Sequence, residues 1–357
     1  MDVCICAESA IELWRTWRLF GTKGLIEMGI SPSKEFTDSW RSCLLSGRLP
    51  VFEVPSAKWA QRLLASDGAR LSAPIDFLAT ESKHLSFSQT LTSRACPDHV
   101  GPTDIVALNE HIYVTAPELS LMEAARNLGL GEALRLINEF CGTFATNGGT
   151  KRGFSSADPL TSKESLVRFC DAHPSWRQAR LFRKPVSHAL DGCASPAESS
   201  TVLLLCLPVH DGGYGIPAPR MNGDIYLDAE SLRLADRGYY VGDAVWQDGK
   251  TIVEYDSKSV HTDQDAVAHD YTRKLSLESA GYHVSVVTPK ILSDPALFEK
   301  VALDTAKRVG HRHRVRMDPT TFRARQNEMR ETLMAVPKRW YCFWNPTGSR
   351  TATAIGA

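Results

Sequence analysis

YYVGDAVWQ (residues 239–247), DG (248–249) and KTIVEYD (250–256) form the stretch that decides the fold of the C-terminal half of this chain. Two β-rich runs flank the Asp-Gly pair. Such a pair is a strong hairpin signal, because a two-residue type I′ turn needs positive φ at both central positions. With these two residues at the turn, Gln247 pairs with Lys250. The stretch therefore predicts a hairpin of defined register.

This register sets two acidic side chains against each other. Counting back from the turn, Asp243 lies opposite Glu254, and directly opposed Cβ atoms are about 4.5–5.5 Å apart. A hard divalent cation would bind both carboxylates and relieve their repulsion. Alternation along the strand puts Asp256 and Lys258 on the face of Glu254, and His261 follows at the strand exit. We therefore expect Mg²⁺ or Mn²⁺ at Asp243 and Glu254, with Asp256 assisting.

Each candidate residue also has a structural interpretation. The alternative to a metal site is that Asp243 and Glu254 are unrelated charges on a solvated face. Asp256 would then be a solvent-facing charge on its strand. His261 is either a loop histidine without a role or a general acid or base, because its unperturbed pKa lies near operating pH. Lys258 is either an ordinary exposed lysine or a group that orients water or contacts a phosphate.

Two further residue pairs are explained by helix chemistry alone. Ser195 with Glu198 three residues later is a capping box, which accounts for both residues. Asp270 and Arg273 lie three apart on one face of the next predicted helix, where an i,i+3 ion pair is the simple explanation.

A basic segment follows the predicted hairpin region. Between residues 307 and 330, Asp318 and Glu328 are the only acidic residues. The basic residues are Lys307, Arg308, Arg312, Arg314, Arg316, Arg323, Arg325 and Arg330. Such a stretch supplies contacts to a phosphate backbone, or it is a solvated tail. Arg312, Arg314 and Arg316 are the candidate DNA-binding residues.

Composition limits the class of protein. The 357 residues allow two or three domains, and 41 basic residues balance 41 acidic ones, so net charge alone predicts no polyanionic partner. The nine cysteines include no Cys-x-x-Cys pair, which argues against a zinc ribbon or a thioredoxin motif. Cys4 and Cys6 are a redox pair or two free thiols. Reduced cysteines, a charged N-terminus and no long apolar stretch predict a cytoplasmic protein without a membrane partner.

The order of predicted elements divides the chain into three parts. Residues 1–190 mix short β-like runs with helices near 9–20, 117–128, 131–141, 163–172 and 175–190, and 145–159 reads as a loop. We expect this part to be a mixed α+β module that is regulatory or binds DNA or a partner. Residues 191–310 follow the order α-β-β-β-α-β-α, which predicts a mixed sheet covered on both faces. Residues 311–357 form a basic C-terminal extension, and the fold class is α/β.

The residues of the second part resemble a known nuclease family. Gly242-Asp243, Glu254-Tyr255-Asp256-Ser257, His261, Asp270, Arg273 and Gly281-Tyr282-His283-Val284 are similar to the Vsr-like endonuclease domain of the PD-(D/E)xK superfamily. The entry from Ser195 to Glu198, with Asn222, is similar as well. The resemblance covers about residues 192–310. It implies a restriction-endonuclease-like αβββαβ core, magnesium at the hairpin carboxylates and a further acidic residue, Glu198, from a flanking helix.

The chain departs from the family pattern at one position. The defining lysine, two residues after the glutamate, is replaced by Asp256, and the resemblance implies that His261 serves instead. The helix start from Val114 to Glu118 is similar to the C-terminal part of AbiEi-type antitoxin and regulator proteins. The expected function is Mg²⁺-dependent hydrolysis of DNA, with Arg273 among the DNA contacts. The alternative is an inactive, DNA-binding regulator, and a toxin or regulatory protein is a further expected partner.

Overall fold

The computed structural model comprises two compact units. The first unit includes Met1–Ser187, and the second unit is His188–Ala335. The described residues are 1–64, 71–81, 85–97, 100–227, 238–256 and 264–335.

A five-stranded sheet organises the first unit, with strand order β3-β2-β1-β5-β4. The strands are β1 (Val3–Ile5), β2 (Ile75–Ala79), β3 (Leu91–Ala95), β4 (Ile105–Ala107) and β5 (Ile112–Thr115), and β6 (Phe144–Thr146) pairs separately with β7 (Phe154–Ser156). The helices are α1 (Ala7–Glu27), α2 (Lys34–Asp38), α3 (Ala57–Leu64), α4 (Pro117–Ala125), α5 (Leu130–Cys141), α6 (Lys163–Ala172) and α7 (Arg177–Ser187).

The core of the first unit lies where α1 packs on the central strands. All three residues of β1 are buried, as expected for an apolar strand with neighbours on both sides. Trp14 of α1 is fully buried, and its indole N–H donates to the Thr115 carbonyl at 2.9 Å. The two helix tryptophans, Trp14 and Trp17, each stack near Phe36. Trp14 is therefore a core residue of the first unit, and the half-buried Trp17 packs at the edge of that core.

Two local predictions in the first unit are wrong. Gly129 does not end the helix that starts at Pro117, which already stops at Ala125. Instead it precedes α5, and its N–H donates to Glu132 Oε2 at 2.9 Å. The segment 145–159 is not simply a loop, because Phe144–Thr146 and Phe154–Ser156 pair as antiparallel strands. Both errors arose because glycine permits either a helix end or a turn.

The second unit is built on a four-stranded mixed sheet, with strand order β11-β10-β9-β8. Its strands are β8 (Arg220–Tyr226), β9 (Tyr239–Trp246), β10 (Thr251–Tyr255) and β11 (His283–Val287). Its helices are α8 (Pro196–Cys206), α9 (Gln264–Ser279), α10 (Pro289–Ser293), α11 (Pro295–Arg308) and α12 (Pro319–Met334). The strands β10 and β11 are parallel, whereas the other pairs are antiparallel. This is the predicted element order and a mixed sheet, so the α/β class is confirmed.

Both faces of this sheet are covered. Neighbouring residues of a strand point to opposite faces, and Ile252 and Val253 are both fully buried. Ile252 packs in one cluster with Leu277 and Ala280 at the end of α9. In the part of the chain that the structure describes, no helix combines the length and the apolar character needed to cross a membrane.

The hairpin turn differs from the predicted type. Neither Asp248 nor Gly249 has positive φ, and the positive value of 40° falls on Lys250. The Lys250 N–H donates to the Gln247 carbonyl at 3.0 Å, as in a turn that is followed by one left-handed residue. Gly249 is needed for a different reason: a Cβ there would lie 3.0 Å from the Val309 Cα. The glycine therefore permits close packing against the end of α11.

The predicted C-terminal extension lies partly inside the second unit. Helix α12 packs on α8, where the Ser200 hydroxyl donates to the Leu333 carbonyl at 3.1 Å. A Cβ on Gly212 would lie 2.6 Å from the Arg325 carbonyl oxygen, so the loop after α8 also touches this helix. The described residues 311–335 therefore complete the core of this unit.

Candidate functional site

The hairpin register places the candidate carboxylates as expected from the sequence. Thr251 pairs with Trp246, Ile252 with Val245 and Val253 with Ala244. One further step in this register sets Glu254 opposite Asp243. The positive φ at Lys250 changes the turn without shifting the strands, so the alignment survives the error in turn type.

Asp243 bridges the two strands with its side chain. Its Oδ2 accepts a hydrogen bond from the Tyr255 N–H at 2.8 Å. Burial, followed by the nearby Glu198 and Glu254 carboxylates, raises the pKa of Asp243 to about 7, against the opposing effects of the Tyr255 N–H and Arg273. Asp243 is therefore the centre of a group of three carboxylates, and it resists ionisation near neutral pH.

Glu198 enters this group from the start of α8. The Ser195 hydroxyl accepts from the Glu198 N–H at 3.1 Å and donates to Glu198 Oε1 at 2.9 Å, while Oε2 accepts from the Ala194 N–H at 2.9 Å. The Ser195 half of the predicted capping box is thus confirmed, whereas Glu198 accepts from the Ala194 N–H instead of the Ser195 N–H. The Asn222 amide also reaches Glu198 Oε2 at 3.4 Å and the Gly192 carbonyl at 2.7 Å. These bonds fix Glu198 within electrostatic reach of Asp243.

Arg273 neutralises Glu254. Its Nη1 donates to Glu254 Oε2 at 2.7 Å, and its Nη2 donates to Glu254 Oε1. The same Nη2 donates to the Val241 carbonyl at 2.7 Å, and the guanidinium lies 5.7 Å from the centre of the Tyr240 ring. Helix α9 thus supplies a counter-charge to the hairpin through a two-pronged contact.

The carboxylate oxygens of Asp243, Glu254 and Glu198 have the right chemistry for a divalent cation, but they are not arranged around one. Carboxylate oxygens are the ligands that Mg²⁺ prefers. Among the described residues, however, no three His, Cys, Asp or Glu side chains are arranged to hold a metal ion. Arg273 occupies both Glu254 oxygens, and the Ala194 N–H and the Ser195 hydroxyl engage Glu198. Asp243 and Glu254 are the residues that would hold the metal, once Arg273 releases Glu254.

The remaining predicted site residues divide into two groups. Asp256 follows β10, where its N–H donates to the Val287 carbonyl at 3.0 Å, and its charge adds to the burial that raises the pKa of Tyr255. Lys258 and His261 lie outside the described residues, as does the side chain of Asp270. Their roles stay predictions.

The three candidate DNA-binding arginines lie on one exposed segment between α11 and α12. Arg312, Arg314 and Arg316 are all exposed. Between them His313 turns inward, with its Nδ1 at 2.9 Å from the Tyr214 carbonyl oxygen. The alternation therefore presents the arginines to solvent.

Two contacts at the candidate site were not predicted from the sequence. The first is that of the Asn222 amide with Glu198. Asn222 has a positive φ of 44°, which asparagine tolerates better than most residues, and the glycine that follows it was the only sequence signal of this unusual backbone. The Arg273 contact to Glu254 spans 19 residues, so helix periodicity pointed to Asp270 instead.

No protein-family model, curated protein or solved structure matches this chain.

Proposed function

We propose that this protein is a Mg²⁺-dependent DNA endonuclease with a restriction-endonuclease-like αβββαβ core. The observation that carries the proposal is the convergence of Glu198, Asp243 and Glu254 from α8, β9 and β10. The resemblance of the same residues to the Vsr-like domain of the PD-(D/E)xK superfamily points in the same direction.

Asp243 and Glu254 hold the metal in this proposal, and Asp256 assists. The Tyr255 N–H fixes Asp243 Oδ2, and within the described part of the chain the second oxygen, Oδ1, accepts no hydrogen bond. Bound Mg²⁺ would lower the pKa of the attacking water and would neutralise charge on the phosphate. Rigid strands hold both carboxylates, which is the arrangement that such chemistry requires.

Other residues would transfer the proton or bind the DNA. His261 would move a proton between water and leaving group, and Lys258 would orient the water or contact a phosphate. The exposed Arg312, Arg314 and Arg316 would bind the DNA backbone, because their charges face solvent. Arg273 would leave Glu254 and bind a phosphate when the metal arrives.

The second candidate function is an inactive, DNA-binding regulator of the antitoxin type, with a toxin or another regulatory protein as partner. The contact between Arg273 and both Glu254 oxygens favours it, because an arginine already provides the counter-charge that a metal would provide. Both candidate functions imply a cytoplasmic protein that binds DNA.

A plasmid-nicking assay tests the proposal. The protein is incubated with supercoiled DNA and Mg²⁺, as wild type, Asp243→Asn and Glu254→Gln. Both substitutions should lower the rate by at least about 100-fold, since a catalytic metal supplies several kcal/mol of transition-state stabilisation. The control is Asp224→Asn on the neighbouring strand, whose side chain is 38% exposed and lies 3.8 Å from Arg220. It should cleave like wild type.

The outcomes separate the two candidates. Cleavage that survives EDTA, or that both substitutions leave unchanged, overturns the metal site. DNA binding without cleavage at any Mg²⁺ or Mn²⁺ concentration supports the regulator instead.

A further inference from the structure

Helix α7 of the first unit carries a concentrated positive charge. Its eleven residues include four basic residues and no acidic one. The basic residues are Arg177, Arg180, Arg183 and Lys184, and all four are exposed. Ala179, Phe182 and Val186 form the opposite, buried side. The charge is therefore confined to one side of a well-packed helix.

Three of these side chains form a row along the helix. Arg177, Arg180 and Lys184 have the i, i+3, i+7 spacing of a single stripe, and we call them the α7 stripe. A rise of 1.5 Å per residue makes the stripe about 10 Å long. Successive phosphates of one B-DNA strand advance about 3.4 Å along the axis, so the stripe matches a short run of phosphates.

Nearby acidic residues are already engaged by other arginines. Glu164 and Asp171 are the acidic residues of α6, which packs beside α7. Glu164 lies 2.6 Å from Arg168, and Asp171 lies 2.7 Å from Arg183. Together the two helices carry six basic residues against these two acidic ones. The two helices therefore carry a net positive charge, and the three stripe residues are exposed.

The position of the stripe is unfavourable for the isolated helix. Arg177 and Arg180 lie in the first turn, where the helix dipole disfavours positive charge. Like charges three or four residues apart also repel, as Arg180 and Lys184 do. A bound polyanion would offset both costs.

We propose that the α7 stripe is a second DNA-binding surface, which contacts the phosphate backbone without reading sequence. The choice of DNA as the anion rests on the proposed function, whereas the charge of the surface does not. An acidic protein would use the same charge, but protein interfaces also favour aromatic side chains beside their arginines. The apolar side chain exposed beside the stripe is that of Leu181, and the aromatic Phe182 is buried.

The test is the salt dependence of binding to a fluorescein-labelled DNA duplex, measured by anisotropy in EDTA. The stripe variant is Arg177→Gln/Arg180→Gln/Lys184→Gln in the full chain. The matched control, Lys23→Gln/Lys58→Gln/Arg62→Gln, removes the same charge from other exposed positions of the first unit. A charge-conserving variant, Arg177→Lys/Arg180→Lys, checks that charge rather than helix folding is responsible.

The stripe variant should bind more weakly than the control, and its slope of log affinity against log salt should be shallower by about 2–3, since each phosphate contact contributes about 0.9. The lysine variant should keep the wild-type slope. Equal affinity and slope in the stripe and control variants overturn the proposal. Loss of binding to a poly-glutamate peptide with unchanged DNA binding also overturns it, in favour of an acidic protein.

The nicking assay on the same variants keeps the two proposals distinct. Metal-dependent cleavage without any contribution from the stripe refutes only the α7 surface. A stripe-dependent salt slope without cleavage refutes only the nuclease.

Discussion

Two carboxylates, the buried Glu139 of the first unit and the half-buried Asp243 of the second, show how differently the same chemical group can be held. Glu139 of the first unit accepts from Arg15 Nε and Nη2, both at 2.7 Å, and from the Thr146 N–H at 2.9 Å and hydroxyl at 3.0 Å. Asp243 of the second unit accepts one hydrogen bond, from the Tyr255 N–H, and faces the charges of Glu198 and Glu254.

The difference appears in the pKa of each group. Burial disfavours the charge of Glu139, but Arg15, the Thr146 N–H and Arg18 outweigh it and hold the pKa below its ordinary value. Burial and two like charges raise the pKa of Asp243 to about 7. A carboxylate with a full set of donors stabilises a fold, whereas one surrounded by other carboxylates is poised for an added cation.

The largest effect is expected from removing the partner of Glu139. Arg15→Ala should lower the free energy of unfolding of the first unit by about 3–5 kcal/mol, because it leaves a buried charge without its partner. Urea unfolding measures it. Lys23→Ala on the same helix is the control, since Lys23 is 73% exposed and lies 3.9 Å from Glu27. A loss for Arg15→Ala no larger than for this surface pair contradicts the structural role of Glu139.

Opposite pH profiles are the next expected effect. Because the folded-state pKa of Asp243 is raised, the protonated form favours folding below the unfolded pKa of about 4, and this contribution is lost as pH rises towards about 7. Asp243→Asn should therefore match wild type near pH 4 and exceed its stability above pH 7, in EDTA. An Asp243→Asn variant that is less stable than wild type at every pH contradicts the account.

Glu139→Gln should behave in the reverse way. The lowered folded-state pKa of Glu139 contributes stability above the unfolded pKa of about 4.3, and this contribution is lost as pH falls through the lowered value. The variant should be destabilised at neutral pH and should approach wild type in acid. Urea midpoints across the same pH range test both profiles together.

The hairpin shows how far the sequence alone can lead. Alternating apolar residues and the Asp-Gly pair predict the strands and their register, because both are local properties of the chain. The positive φ falls on Lys250 instead of the Asp-Gly pair, and Gly249 packs against Val309, which is a tertiary contact. The strands were therefore predictable, and the turn type was not.

The same distinction holds within the site. The Ser195 hydroxyl caps α8 by accepting from the Glu198 N–H within four residues, so helix chemistry predicts this contact. The contact of Arg273 with Glu254 and the support of Glu198 by Asn222 join distant segments. No local pattern encodes such contacts. Helix periodicity instead predicted that Arg273 forms an ion pair with Asp270 on its own helix.

The smallest expected effect concerns Arg273. Arg273→Ala should raise the affinity of the protein for Mg²⁺ by at least about tenfold, because hydrogen bonds to a charged group contribute about 1.5–3 kcal/mol and a factor of ten is about 1.4 kcal/mol. Lys274→Ala is the control, since Lys274 is 55% exposed and lies 3.8 Å from Glu278. Unchanged or weaker Mg²⁺ binding after Arg273→Ala favours the inactive regulator, in which Arg273 replaces the metal.

Calorimetric titration of the whole chain with Mg²⁺ at pH 8 tests the central claim most directly. The account predicts saturable binding to wild type, loss of that binding in both Asp243→Asn and Glu254→Gln, and retention in Glu139→Gln, because the donors of Glu139 leave no place for a cation. Undiminished Mg²⁺ binding in Asp243→Asn, or no binding to wild type at millimolar Mg²⁺, would contradict it.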